Sequence, residues 1–100
     1  MALSFLCVST FFKGNEFLKS CKEAGNTVYL LTAKKLEHKP WVREYVDEFF
    51  YVEEELEGSY DMQKLITGLA YMIRSRKIDR IVALDDFDVE KAAHLRLRIM

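Results

Sequence analysis

The chain has 100 residues, of which 50% are hydrophobic and 13% aromatic, enough for one small domain with a packed core and too apolar for a disordered tail. Its 15 basic and 16 acidic residues give a net charge of −1, which argues against binding to nucleic acid or anionic membranes, because such proteins usually carry a basic excess. No apolar run approaches the roughly 20 residues that span a bilayer, and the N-terminus lacks the basic region of a signal peptide, so we expect a cytoplasmic protein.

The first third of the sequence predicts a strand, a helix and a second strand. Residues 3–9 (LSFLCVS) form a short apolar run typical of a strand buried on both faces. Asn15 is expected to cap a helix over residues 16–24, and Gly25 to end that helix in a left-handed conformation. The β-branched and aromatic residues of the segment 27–32 (TVYLLT) predict the second strand.

The middle of the chain is less regular. Pro40 suits the first position of a helix, and the apolar residues from Trp41 to Val46 fall at helical spacing, which predicts a short helix there. Residues 48–52 (EFFYV) predict a third strand, and the polar stretch EEELEGS that follows predicts a connector closed by Gly58.

The last part gives the clearest helix, over residues 61–77, with apolar residues at helical spacing, Asp61 in its first turn and basic residues in its last. Residues 78–84 (IDRIVAL) predict a fourth strand. A final helix is expected from Val89 onward, with Asp88 as its N-cap.

Strands that alternate with helices in this way predict a single α/β domain of the Rossmann-like, three-layer type. We expect four parallel strands in the order 3-2-1-4 with helices on both faces. In such a sheet a ligand crevice opens at the carboxyl ends of the strands, where the strand order reverses. The loops 9–15 and 85–88 are therefore expected to meet at one edge.

The acidic run DDFD in the second of these loops has two interpretations. Asp88 or Asp86 can cap the last helix, with Glu90 adding negative charge to its first turn. Alternatively, Asp85 or Asp86 points into the crevice and holds an amine, a hydroxyl or a neighbouring basic side chain. The first loop precedes a helix N-terminus, which favours anions, but it has one glycine and lacks the phosphate-binding fingerprints.

Other chemistry-bearing residues predict no site. Cys7 and Cys21 are expected to be reduced core residues, and His38 and His94 are isolated, so neither a metal site nor a catalytic residue is predicted. The aromatic cluster of Trp41, Tyr45, Phe49, Phe50 and Tyr51 is expected in the core and at the sheet edge and not as a platform that stacks bases, because no basic groove accompanies it. The adjacent Phe11 and Phe12 have two interpretations: they pack on a neighbouring element in an ordinary strand-to-helix loop, or they form a partner surface for another domain, since two fully exposed rings would be unusual.

Two segments, FLCVSTFFKGNEFLKSCKEAGNTVYLLT and IDRIVALDDFDVEKAAHLR, resemble the N-terminal (pre-ATP-grasp) domain of the ATP-grasp ligases. The resemblance is to the carboxylate–amine/thiol ligase type, related to biotin carboxylase and carbamoyl-phosphate synthase, and it covers nearly all of the chain. It implies a first strand and loop, a helix ending at Ala24 and Gly25, and a late strand that ends in an acidic pair before a helix.

The resemblance implies a function for the parent protein. ATP-grasp ligases phosphorylate a carboxylate to an acyl phosphate, which an amine or thiol then attacks. ATP and magnesium would bind in two following domains that are absent from this chain, so the fragment alone would hold no cofactor and be inactive. The resemblance implies an exposed apolar patch where those domains would dock, or a second copy of the chain that covers this patch. The other implied partner is a small carboxylate or amine substrate. The substrate-facing positions implied by the resemblance are Ser9, Thr10, Lys13, Gly14, Asp85, Asp86 and Glu90.

One alternative is a self-standing Rossmann-like domain that binds a small ligand or another protein without catalysis. A receiver domain of the response-regulator type is disfavoured, because its acidic pocket requires acids where Ser9 and Thr10 stand.

Overall fold

A computed structural model of the chain describes residues 2–54 and 60–99. The strands are β1 (Ser4–Ser9), β2 (Thr27–Ala33), β3 (Glu48–Val52) and β4 (Arg80–Ala83). The helices are α1 (Asn15–Glu23), α2 (Met62–Ile73) and α3 (Val89–Ile99). The predicted connector over residues 53–59, with Gly58, lies mostly outside the described residues.

The four strands form one parallel sheet in the order β3-β2-β1-β4, which confirms the predicted fold. β1 lies in the middle, where Leu6 pairs with Tyr29 of β2 on one side and with Ile81 of β4 on the other. The strand order reverses between β1 and β4, so the loops that follow these two strands leave the sheet side by side.

Each face of the sheet has its own apolar cluster, because successive side chains of a strand point to opposite faces. On one face α2 and α3 pack over Leu6, Val8 and Leu31, and on the other α1 packs over Cys7 and neighbouring residues. Cys7 and Cys21 are buried free thiols, as predicted, and burial raises the pKa of the Cys7 thiol. The domain therefore has three layers.

The predicted helix over residues 41–46 is wrong. Two short 3-10 turns, Lys34–Leu36 and Arg43–Tyr45, connect β2 to β3 instead. Trp41 is only 4% exposed and donates its indole N–H to the carbonyl of Leu36 at 3.1 Å, so it belongs to the core without being helical. The backbone N–H of Val42 donates to the side chain of Asn15 at 3.1 Å, so a tertiary contact fixes the backbone of this segment.

Asn15 is therefore not the N-cap of α1. Gly14 occupies the cap position with a φ of 102°, and the Asn15 amide is used to hold the β2–β3 connection through Pro40 and Val42. Gly25 ends α1 with a φ of 93°, as predicted. α2 is shorter than predicted: it begins after Asp61, whose carboxylate caps it, and ends at Ile73. No helix within the described residues is long and apolar enough to cross a membrane.

Candidate functional site

The loops after β1 and β4 are joined at the carboxyl edge of the sheet by a buried carboxylate. Asp88 is 0% exposed and accepts two hydrogen bonds from Thr10, one from its backbone N–H at 2.8 Å and one from its hydroxyl at 2.5 Å. A buried charge needs such partners to be stable. Asp88 is thus a structural link between two loops, and it is not the N-cap that its position before α3 predicts.

Asp85 supplies the cap instead, one turn earlier in the chain. Its carboxylate accepts from the backbone N–H of Phe87 at 2.9 Å and so starts a 3-10 turn, Asp86–Asp88, that leads into α3. The exposed ammonium of Lys13 lies 3.2 Å from the other oxygen of Asp85. The hydrogen bond from Phe87 and the charge of Lys13 together lower the pKa of Asp85, although burial opposes them.

The loop after β1 is compact because its own polar groups are satisfied internally. The Ser9 hydroxyl is fully buried and lies 2.6 Å from the carbonyl of Phe11 and 3.0 Å from that of Lys13. At Gly14 a Cβ atom would lie 2.4 Å from Cδ1 of Leu84, so only glycine allows the two loops to approach this closely. These residues shape the edge without offering their polar groups to a ligand.

A cleft of about 140 Å³ opens beside the Thr10–Asp88 link. Residues that follow each of the four strands reach it, because the carboxyl ends of parallel strands share one edge. The seven residues that line the cleft are Thr10 and Phe11 after β1, Lys35 after β2, Glu54 and Tyr60 after β3, and Phe87 and Lys91 after β4.

Charges of both signs line this cleft. The ammonium of Lys91 lies 3.4 Å from Asp88 and 5.0 Å from the ring centre of Tyr60. Lys35 forms an ion pair with Glu54, and the Tyr60 hydroxyl lies 3.5 Å from a Glu54 oxygen. Burial and the nearby carboxylate of Glu54 raise the pKa of Tyr60 to about 12, so its phenol stays protonated and can donate a hydrogen bond.

Of the residues predicted to face a substrate, Thr10 alone lines the cleft. Asp85 and Lys13 pair with each other beside it, and Ser9 and Gly14 build the loop beneath it. Asp86 is exposed and forms no ion pair among the described residues. Glu90 is also exposed, 3.7 Å from His94 on the outer side of α3.

Sequence reasoning did not select Lys35, Glu54, Tyr60 or Lys91. The first two follow the ends of β2 and β3, so the rule that places ligands at carboxyl ends could have found them. Lys91 lies one helical turn after Asp88, a spacing at which opposite charges meet. Tyr60 lies after the connector that includes Gly58, and no local pattern indicates its position.

A pair of exposed rings forms one rim of the cleft. The ring centres of Phe11 and Phe87 are 5.1 Å apart, and the two residues remain 44% and 71% exposed. Phe12 lies against Trp41, with ring centres 4.9 Å apart. Exposed aromatic residues in contact with each other are typical of a surface that another domain covers.

The described residues of this edge do not fit Mg-ATP. The loop has one glycine, the Ser9 hydroxyl faces its own loop, and Asp85 and Asp88 are taken up by Lys13, Phe87 and Thr10. The part of the chain that the structure describes contains no group of three or more metal-ligating side chains. Comparison of the chain with protein-family models, curated proteins and solved structures gave no match.

Proposed function

We propose that this chain is the N-terminal, substrate-side domain of a cytoplasmic ATP-dependent ligase of the ATP-grasp type. The parent enzyme would join a carboxylate to an amine or thiol through an acyl phosphate. ATP and magnesium would be held by following domains, and this domain would supply one wall of the substrate site and no catalytic residue.

The observation that carries the proposal is the cleft reached by residues that follow all four strands. The resemblance assigns the substrate side to the loops after β1 and β4, and the Thr10–Asp88 link fixes those two loops beside the cleft. Loops that are already held in place favour binding, because little conformational entropy is lost when a ligand enters. The exposed rings of Phe11 and Phe87 on that rim support a role for this edge in contacting another domain.

The charges of the cleft suit the proposed substrates. The ammonium of Lys91 lies 3.4 Å from Asp88 but has three N–H donors, so it can also pair with a substrate carboxylate. The phenol of Tyr60 lies 3.5 Å from a Glu54 oxygen and can donate its hydrogen bond to the substrate carboxylate instead. A volume of about 140 Å³ suits a small molecule better than a whole nucleotide. The geometry therefore favours a small carboxylate over ATP as the molecule this domain contacts.

A titration followed by NMR tests this proposal. Small carboxylates and amino acids are added in turn to the labelled chain, and at least one is expected to shift the amide signals of Thr10, Phe87 and Lys91 in a saturable way. Mg-ATP is expected to leave the spectrum unchanged. Lys91→Gln should weaken the carboxylate response, whereas Lys39→Gln, an exposed lysine outside the cleft, should not.

A saturable response to Mg-ATP would contradict the proposal, and so would the absence of any response to carboxylates. Sequencing the reading frame beyond Met100 separates the ligase from the alternative, a self-standing binding domain. The ligase predicts a few hundred further residues with a glycine-rich loop and late Glu and Asn metal ligands, and a stop codon after Met100 would favour the alternative.

A further inference from the structure

A second concave site lies at the opposite, amino edge of the sheet. It is a pocket of about 230 Å³ at the place where α2 and α3 both end. Its apolar lining comes from α2 and from the turn that leads to β4. The six residues that line it are Ala70, Ile73, Arg74, Arg76, Ile78 and Arg98.

Three guanidinium groups line this pocket, and one of them is paired with a carboxylate of the protein. Glu48 accepts two hydrogen bonds from Arg76, at 2.7 and 2.6 Å, so Arg76 is held in place and neutralised. Arg74 lies over the ring of Tyr71, 4.6 Å from its centre, and this contact brings no negative charge. Within the described residues neither Arg74 nor Arg98 forms an ion pair.

The acidic groups near this edge are engaged elsewhere. Asp79 accepts from the backbone N–H of Ser4 at 2.8 Å and lies 3.6 Å from Lys77, and it does not line the pocket. The carboxyl ends of α2 and α3 carry partial negative charges of about one half each, which offset part of the positive charge. The two positive charges of Arg74 and Arg98 still exceed the partial negative charge of the two helix ends, so the cavity keeps a net positive charge.

We propose that this pocket binds the phosphate group of a small, freely diffusing phosphorylated metabolite. Guanidinium groups bind phosphate through parallel hydrogen bonds, and two of them on neighbouring helix ends can hold one phosphate between them. The apolar side chains of Ile73 and Ile78 provide a surface for the carbon skeleton of the ligand. A concave pocket of this volume fits a small molecule better than a flat membrane surface or a protein segment.

The site is independent of the proposed ligase function, because it lies at the other end of the sheet. The test is an NMR titration of the chain with inorganic phosphate and with glycerol 3-phosphate at constant ionic strength. Both are expected to shift the amide signals of Ala70, Ile73 and Ile78 in a saturable way, with tighter binding of the organic phosphate. The cleft signals of Thr10 and Lys91 should not move.

The variant with Arg74→Gln and Arg98→Gln should bind glycerol 3-phosphate at least about tenfold more weakly. The matched control carries Lys77→Gln and Arg80→Gln, because it also removes two positive charges from the same edge but at positions outside the pocket, and it should change the affinity less than about twofold. Equal weakening in the control, or no saturable response to either phosphate, would overturn the proposal. Stronger binding to phosphatidic acid vesicles than to glycerol 3-phosphate would do so too, because it would assign the pocket to a lipid headgroup.

Discussion

The two edges of the sheet use their charged residues in different ways. At the carboxyl edge, Asp85 and Asp88 are buried and their oxygens are occupied by backbone N–H groups and by neighbouring side chains. At the amino edge, the ion pair between Glu48 and Arg76 is partly exposed. Arg74 at this edge is exposed to solvent, and its guanidinium group lies over the ring of Tyr71.

This difference teaches that a run of charges in a sequence does not by itself mark a binding site. The acids DDFD, which attract notice in the sequence, mainly hold two loops together. In the sequence, the arginines after α2 indicate only a favourable interaction with the helix dipole. In the structure, Arg74 and Arg76 line a cavity. Which charges are available to a ligand is decided by tertiary contacts, and the following variants separate the two roles.

The largest effect is expected from Asp88→Ala. It leaves two buried donors of Thr10 without an acceptor, at a cost of about 4 kcal/mol in the free energy of unfolding. Asp88→Asn keeps the shape and one acceptor oxygen and should cost less. Asp86→Asn, the exposed control in the same turn, should change stability by less than about 0.5 kcal/mol. Urea unfolding measures the free energy of unfolding of all three variants. Equal values for Asp88→Ala and Asp86→Asn would show that the Thr10–Asp88 link does not stabilise the fold.

Gly14→Ala is expected to have the second largest effect, about 3 kcal/mol. A left-handed alanine costs about 1–2 kcal/mol, and the new Cβ would meet Leu84 at 2.4 Å, which adds the cost of overpacking. Gly25→Ala is a matched control, because its φ is similar at 93° but nothing lies within 4 Å of the added atom. Gly25→Ala should cost about 1 kcal/mol. If the two variants were equally stable, close contact between the loops at Gly14 would be disproved.

The smallest effect concerns pH, and it compares one aspartate from each edge. At the amino edge, burial by itself would raise the pKa of Asp47. Hydrogen bonds from Lys22 and Val28 outweigh this effect and lower the pKa. At the carboxyl edge the pKa of Asp85 is also lowered, mainly by the hydrogen bond from the backbone N–H of Phe87. A lowered carboxyl pKa in the folded state gives stability that is present above the ordinary value of 3.8 and lost as the pH falls below it.

Urea midpoints measured across this acidic range should therefore decline less steeply for Asp47→Asn and for Asp85→Asn than for the natural sequence. Added salt should reduce the contribution of Asp47 more, because the partner that lowers its pKa most is the charged side chain of Lys22, whereas the main partner of Asp85 is a backbone N–H. Equal sensitivity to salt at the two positions would contradict the contrast between the edges.

The sequence predicts the sheet well because its signal is local and strong. The apolar runs predict β1 and β2 to within one residue, and the strand order follows from the alternation of strands and helices together with the usual doubly wound topology. The helix after Pro40 was predicted wrongly because its apolar spacing is compatible with a helix. The segment instead satisfies its backbone through Asn15, a residue 27 positions away from Val42.

The same limit applies to the candidate site. Proximity of the two loops follows from topology and could be predicted, and the Thr10–Asp88 contact confirms it. Which aspartate would cap and which would be buried could not be predicted, since all three have the same chemistry within four positions. The lining by Lys35 and Tyr60 depends on how separate loops fold over the edge, and no pattern within either loop indicates it.

The central position of β1 has a consequence for how the domain forms. Phe5 pairs with Arg80, and Thr10 binds Asp88 across 78 positions of the chain, so the middle strand finds its second neighbour only after residues 80–88 have emerged from the ribosome. Pairings between such distant segments slow folding. During synthesis one side of this apolar strand stays open to other chains, and a chaperone that shields it would be expected to raise the yield of the folded domain.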